Sequence, residues 1–295
     1  MKKHIGIIGG GAAGMMAAVT AARKGTKVTI LERNDRIGKK ILQTGNGKCN
    51  LGNRNLTVEC YHGGDAAWIK QALERFGTED TVCFFQKIGL LIKEKNGYLY
   101  PVSEQAASVL DVLRYELQTL GVEIIYGCKV QKVERTLSGK LVVNDGDREW
   151  QFDAVILTCG GKAAPGTGSD GSGWKIAKKA GHTCIAPVPA LVQLRCLETD
   201  LLKGIAGVRA DSRVRILCDG RETDVERGEL QLTEYGISGI PIFQLSRDVN
   251  YLLRDRKTVM AEIDFLPDMT EESYENMKET RRMLQEKRTA EEFFT

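Results

Sequence analysis

Apolar and polar positions alternate along this chain in a way that first predicts a strand–turn–helix–strand unit. Ile5-Gly6-Ile7-Ile8 is an apolar run that ends in Gly9-Gly10-Gly11, with Gly14 three positions later. Helix formers from Met15 to Arg23 follow, Gly25 stops them, and Lys27-Val28-Thr29-Ile30-Leu31 predicts a second strand closed by Glu32. Apolar residues at helical spacing predict helices over Ala66–Phe76 and from a Thr78 cap to Gly89. Asn96-Gly97 between two apolar runs predicts a hairpin of Leu90–Ile92 with Tyr98–Tyr100. Ser103 then caps a helix that runs to Leu120 and stops at Gly121. Val122–Tyr126 predicts a buried strand. Three short strands, Lys129–Arg135, Lys140–Val143 and Arg148–Phe152, form a β-meander. The meander returns the chain to a strand, Asp153–Thr158, which runs into Cys159-Gly160-Gly161. A polar glycine-rich loop over 165–173 leads to a helix from Trp174 to Ala180.

The rhythm changes near Leu191. Arg213–Leu217, Glu222–Val225 and Glu229–Thr233 predict an antiparallel β-domain that Gly236-Ile237-Ser238-Gly239 interrupts. Val259–Phe265 is one more strand. From Asp268 the chain is charged and helical, with Leu284, Phe293 and Phe294 as its few apolar positions. The fold class expected is α/β: a Rossmann-like dinucleotide-binding domain with a β-meander over 1–190, an antiparallel β substrate domain over 191–266, and the start of a helical subdomain over 267–295.

The opening unit carries chemistry. Gly9 permits the tight turn out of the strand, Gly11 lets backbone approach a pyrophosphate, and Gly14 lets the helix pack on the sheet. The helix then starts with its free N–H groups facing the phosphates. Glu32 stands near the spacing of about 20 residues expected of the acid that accepts ribose hydroxyls. An acid there disfavours a 2′-phosphate, so NAD and FAD both remain open. A second candidate ligand loop, Gln43-Thr44-Gly45-Asn46-Gly47-Lys48-Cys49-Asn50, is polar and glycine-rich. It suits either an extended anion or no ligand at all.

Composition narrows the class. The 295 residues suffice for more than one domain, and 42% hydrophobic with 27% charged content is ordinary for a globular protein. A net charge of +3 neither argues for nucleic acid nor excludes it. Eight cysteines without a CxxC pair, and three histidines without ligand spacing, argue against a zinc, iron–sulfur or dithiol site; no metal is expected. No apolar stretch reaches membrane-span length and no signal peptide precedes the first strand, so no membrane partner and a cytoplasmic location are the default expectations.

The stretch Gly38-Lys39-Lys40-Ile41-Leu42-Gln43-Thr44-Gly45-Asn46-Gly47-Lys48-Cys49-Asn50 closely resembles the GrKilxSGgGRCN segment of the BaiN/RdsA-like (aminoacetone oxidase-like) family of NAD(P)/FAD-dependent oxidoreductases. Tyr100–Ser103, the Gly160–Gly171 run, Pro187–Val192 and Gly228–Gly239 resemble the same family in order. Leu230-Gln231-Leu232-Thr233-Glu234 departs from the family's LFTH pattern, and Ile240 stands where its proline is usual. Family members also run on past Thr295, so a C-terminally shortened chain is expected, holding the adenosine half of FAD better than the ring half.

The resemblance implies FAD bound by Gly9, Gly11, Ala12, Ala13, Gly14, Glu32, Arg33, Lys40, Thr44, Gly45, Asn46, Gly47, Cys49 and Asn50. Val130 would meet the adenine through its backbone, and Gly160 and Gly161 would close over the cofactor. Cys49 is a candidate proton donor beside the flavin, a packed thiol being its simpler reading. The activity implied is an FAD-dependent oxidoreductase, with NAD(P)H as candidate donor. Its substrate would be an enone or steroid-like ring, a small amine, or a uridine in ribosomal RNA. The RNA reading needs a basic face, and no long Lys/Arg run supplies one. The alternatives are a flavoprotein fragment with weak FAD binding and no turnover, and an NAD-binding dehydrogenase without flavin.

Overall fold

A computed structural model describes residues 2–62 and 64–284, which fall into two compact units divided between Cys184 and Ile185. The first unit is built on a parallel sheet. In chain order its elements are β1 (His4–Ile8), α1 (Ala12–Arg23), β2 (Lys27–Leu31), β3 (Gly52–Asn53), α2 (Ala66–Arg75), α3 (Thr78–Lys87), β4 (Ile92–Lys95), β5 (Tyr98–Pro101), α4 (Ala106–Thr119), β6 (Glu123–Ile125), β7 (Lys132–Arg135), β8 (Leu141–Asn144), β9 (Glu149–Phe152), β10 (Ala154–Leu157) and α5 (Ser172–Lys179). The main sheet runs β10-β1-β2-β6, all parallel, the order of a doubly wound nucleotide-binding half. The meander β7-β8-β9 and the hairpin β4-β5, with β3 at its edge, form two small antiparallel sheets. The hairpin turns on Asn96 and Gly97, both at positive φ as a type I′ turn requires.

The core of this unit follows from period. Ala106, Val109, Leu110, Leu113 and Leu117 share one face of α4 and are all buried. They meet Met15, Ala18 and Val19 of α1 and Ile7 and Ile30 of the sheet. Each Val, Leu, Ile or Met side chain among them contributes about 1.5–3 kcal/mol on burial. Phe152, fully buried, explains Gly6: a Cβ there would stand 2.5 Å from the Phe152 ring.

The second unit contains β11 (Leu194–Arg195), α6 (Asp200–Lys203), β12 (Arg209–Cys218), β13 (Arg221–Thr233), β14 (Gly236–Gly239), α7 (Ile240–Arg254), β15 (Val259–Asp264) and α8 (Glu271–Leu284). Its five strands run β11-β14-β13-β12-β15, all antiparallel. Val214, Ile216, Leu230, Leu232 and Ile237 of the sheet bury against Ile242, Leu245 and Val249 of α7. Phe293 and Phe294 lie outside the described residues, as does the side chain of Leu284.

Several local expectations are corrected here. The two strands expected at 222–225 and 229–233 are one strand, β13, running through Gly228. That glycine makes room for helix α7, since a Cβ would stand 3.3 Å from Pro241 Cδ. Gly236–Gly239 does not interrupt the sheet but is β14. A Cβ on Gly236 would fall 2.0 Å from Leu194 O, so glycine there permits a close strand neighbour. The segment 240–254, to which the pattern assigned no element, is α7, with Pro241 in its first turn where a missing N–H costs nothing.

Two caps also differ. The residue before α3 is Gly77, whose N–H Asp80 accepts at 2.9 Å, while Thr78 Oγ1 donates to Asn53 O at 3.1 Å. Helix α4 begins at Ala106 with Gln105 before it, and Ser103 Oγ accepts the Gln105 N–H at 3.3 Å.

Candidate functional site

The carboxyl ends of β1, β2 and β10 open into one groove of about 280 Å³. Gly9, at φ +106°, turns the chain out of β1, and its N–H donates to Leu31 O at 2.9 Å. Thr158, at the end of β10, donates its hydroxyl to Ile8 O at 3.0 Å and Gly9 O at 2.9 Å, so the turn is held from both neighbouring strands. A Cβ on Gly11 would meet nothing within 4 Å, so that position looks into open groove. A Cβ on Gly14 would fall 1.9 Å from Gly9 O, which makes it the contact between helix and turn rather than part of the wall.

Glu32 is 5% exposed and has two tasks. Its Oε2 accepts the Gly10 N–H at 2.7 Å. Its Oε1 accepts the backbone and side-chain N–H groups of Asn34, each at 2.8 Å. A carboxylate offers about four acceptor positions, so these bonds leave room for one hydroxyl donor without rearrangement. Glu32→Ala removes both that acceptor and the tether on the glycine turn. Dinucleotide binding is expected to weaken by about 1 to 3 kcal/mol; calorimetric titration giving parent affinity would refute the role.

The groove is lined by Gly9, Gly11, Ala12, Ala13, Glu32, Arg33, Lys40, Val130 and Gly160 of the expected set. Thr44, Gly45, Asn46, Gly47, Cys49, Asn50 and Gly161 are not in its wall. Gly161 O accepts the Gly171 N–H at 2.9 Å and so shapes the loop behind the wall. Gly10, Asn34, Arg36, Lys129, Thr158 and Ser169 line the groove but were missing from that set. Gly10 alone had a local signal, its place in the triple glycine; a Cβ there would fall 2.3 Å from Ile37 Cγ2.

The cations divide into spent and available. Arg33 pairs with Asp170 at 2.6 Å, and Lys39 with Asp35 at 2.7 Å. Arg36, Lys40 and Lys129 line the groove with no carboxylate within ion-pair distance among the described residues. Cys128 and Cys159 supply neutral wall. Burial, then the charge of Asp145, pushes the Cys128 thiol up to about 12. Burial, then Glu32 and Asp170, pushes Cys159 up to about 11. Neither is a thiolate at neutral pH.

The segment over 41–50, which contains the polar run 43–50, is anchored in the core. Ile41–Gly47 forms 3₁₀ turns, and Ile41 and Cys49 are buried in the α4 core. Gly45, Asn46, Gly47 and Cys49 have positive φ, so the backbone turns repeatedly. Lys48 fastens the segment to Glu104 at 2.7 Å, and Lys93 of β4 holds the same carboxylate at 2.5 Å. Hydrogen bonds from the two lysines pull Glu104 down to about 2. Burial raises the Cys49 thiol pKa, opposed by a hydrogen bond with Thr44. Among the described residues no cluster of histidine, cysteine and carboxylate side chains could hold a metal, and no helix is long and apolar enough to cross a membrane.

The family model described as HI0933-like protein Rossmann domain matches residues 3–248. The chain is 46% identical over 268 residues to the 3-dehydro-bile acid delta(4,6)-reductase of Clostridium scindens, covering 90% of this chain and 65% of that protein. It is 32% identical over 267 residues to the ribosomal RNA dihydrouridine synthase of Haemophilus influenzae, covering 89% and 64%. The Escherichia coli protein of the same name is 28% identical over 273 residues, covering 92% and 65%. The chain thus spans slightly under two thirds of the length of these relatives. These matches agree with the resemblance carried by residues 38–50 and the segments after them, and the chain belongs to the HI0933-like family.

Proposed function

We propose that this chain binds FAD in the groove of its first unit and serves an FAD-dependent oxidoreductase that reduces a ring double bond in a small enone or steroid-like substrate. The observation that carries the cofactor reading is the joining of the glycine turn and the buried Glu32 in one cavity. The open space at Gly11 fits a pyrophosphate, which needs backbone where any Cβ would intrude. When bound, FAD supplies the hydride chemistry; the protein supplies binding and orientation.

The roles follow from position. Amide groups from Gly11 to Ala13, at the positive end of α1, meet the pyrophosphate, the Gly9 and Gly10 N–H groups being held by Leu31 O and Glu32. Arg36, Lys40 and Lys129 offset its charge. Glu32 accepts one ribose hydroxyl, and Val130 lines the adenine end. The turns of 44–50 offer backbone N–H groups to the far half of the cofactor. NADH or NADPH is the proposed donor.

The substrate class rests on the 46% identity to a bile acid reductase. Relatives at 32% and 28% identity act, by their names, on ribosomal RNA, which makes uridine the second reading. An anaerobic assay with FAD and NADH or NADPH separates them, using a steroid enone or a ribosomal RNA transcript as the electron acceptor. Enone-dependent oxidation of the donor is expected. Turnover with RNA alone would overturn the enone reading. Bound FAD with no turnover on any substrate would support the fragment reading.

A further inference from the structure

Two segments distant in sequence both line the groove and hydrogen-bond to each other. One is 33–40, just after β2; the other is 165–172, leading into α5. Arg33 Nη1 donates to Asp170 Oδ2 at 2.6 Å and to Gly168 O at 3.4 Å. Asn34 Nδ2 donates to Thr167 O at 3.2 Å, and Lys40 Nζ to Ser169 Oγ at 3.4 Å. The fit is tight: a Cβ on Gly168 would fall 2.9 Å from Asn34 Nδ2, and one on Gly160 2.5 Å from Ser169 Oγ. Asp170 joins this contact to the helix behind it, because its Oδ1 accepts the Ser172 N–H at 3.0 Å.

We propose that Asp170 is a positioning residue that clasps Arg33 and so closes the 165–172 segment over the adenosine end of the groove, setting the rate at which the dinucleotide leaves. The proposal rests on the reading of the groove as an FAD site. It gives the Arg33 cation, one of the residues that the family resemblance assigns to FAD, to the gate. Asn34, which shares Glu32 with the ribose and Thr167 with the gate, links closure to the ribose end. The Arg33 guanidinium holds the Asp170 carboxyl well below the usual carboxylate range, so the pair stays charged across neutral pH. A clasp at this end acts on ADP as well as on FAD.

The test is a stopped-flow measurement of ADP and FAD release from the full chain, with Arg33→Gln, Asp170→Asn, the double variant and Asp170→Glu. Asparagine retains an oxygen for Ser172 N–H, so α5 keeps its first turn. Each single loss is expected to speed release of both ligands about tenfold, the signature of a broken charge pair. The double variant should be no faster than either single. Asp170→Glu, which keeps the charge, should release near the parent rate, and the ligand-free unfolding midpoint should not move. Parent release rates in the single variants would overturn the clasp, as would multiplicative effects in the double. A midpoint shift with unchanged release would show a purely structural pair. A parent chain that takes up neither ADP nor FAD would overturn the FAD reading itself, and the clasp with it.

Discussion

A Gly11→Val variant is expected to lose dinucleotide affinity by about a hundredfold or more, roughly 3 kcal/mol, while unfolding at the same denaturant concentration as the parent. Outside its two chain neighbours, nothing in the protein lies within 4 Å of the Cβ position, so a side chain there starts in open space. The valine methyl groups occupy the space through which a pyrophosphate must approach the turn. The residue precedes helix α1 with an extended φ of −78° and ψ of −173°, which valine adopts without strain. Titration and urea unfolding on one preparation check both halves. Retained affinity would mean that the ligand does not cross the glycine turn.

Gly14→Ala is expected to behave in the opposite way. Alanine inside a helix normally gains about 1 kcal/mol over glycine. Here its Cβ would fall 1.9 Å from Gly9 O and 2.9 Å from Thr158 Oγ1. Gly9 O is backbone and already accepts the Thr158 hydroxyl, so α1 must move off β1. The net loss should reach about 2 to 3 kcal/mol of stability, as for overpacked cores. An unfolding midpoint at or above the parent's would contradict this account of helix–turn packing. The pair of variants separates the two reasons for glycine in one motif: Gly11 leaves room for a ligand, and Gly14 for the protein itself.

Much of this fold is legible because its signals are local. The β1–turn–α1–β2 unit, the Asn96-Gly97 hairpin and the meander are each specified by residues within a few positions of one another. Helix α4 announces itself through five buried positions on one stripe. The failures share a physical cause. Gly228, Gly236 and Gly239 read as breaks because glycine commonly ends elements, yet here each lets another segment approach closely. Cys49 sits in a polar run, but its thiol packs into a core assembled from α1, α3 and α4.

The site divides along the same line. Glu32 and the glycines were legible from spacing. Thr158 and Asn34 were not, because their partners Gly9 and Thr167 lie more than a hundred positions away in the chain. Arg33 entered the expected FAD set through the family resemblance alone, and the carboxylate that engages it, Asp170, is just as distant in sequence.

The central claim is that the groove between the carboxyl ends of β1, β2 and β10 is an FAD site. The most direct measurement is an equilibrium titration of the full chain with FAD, followed by competition with ADP. The account predicts saturable binding at one site, displacement by ADP, and loss of both in Gly11→Val. Absence of saturable FAD binding, or FAD binding indifferent to ADP and to Gly11→Val, would contradict it.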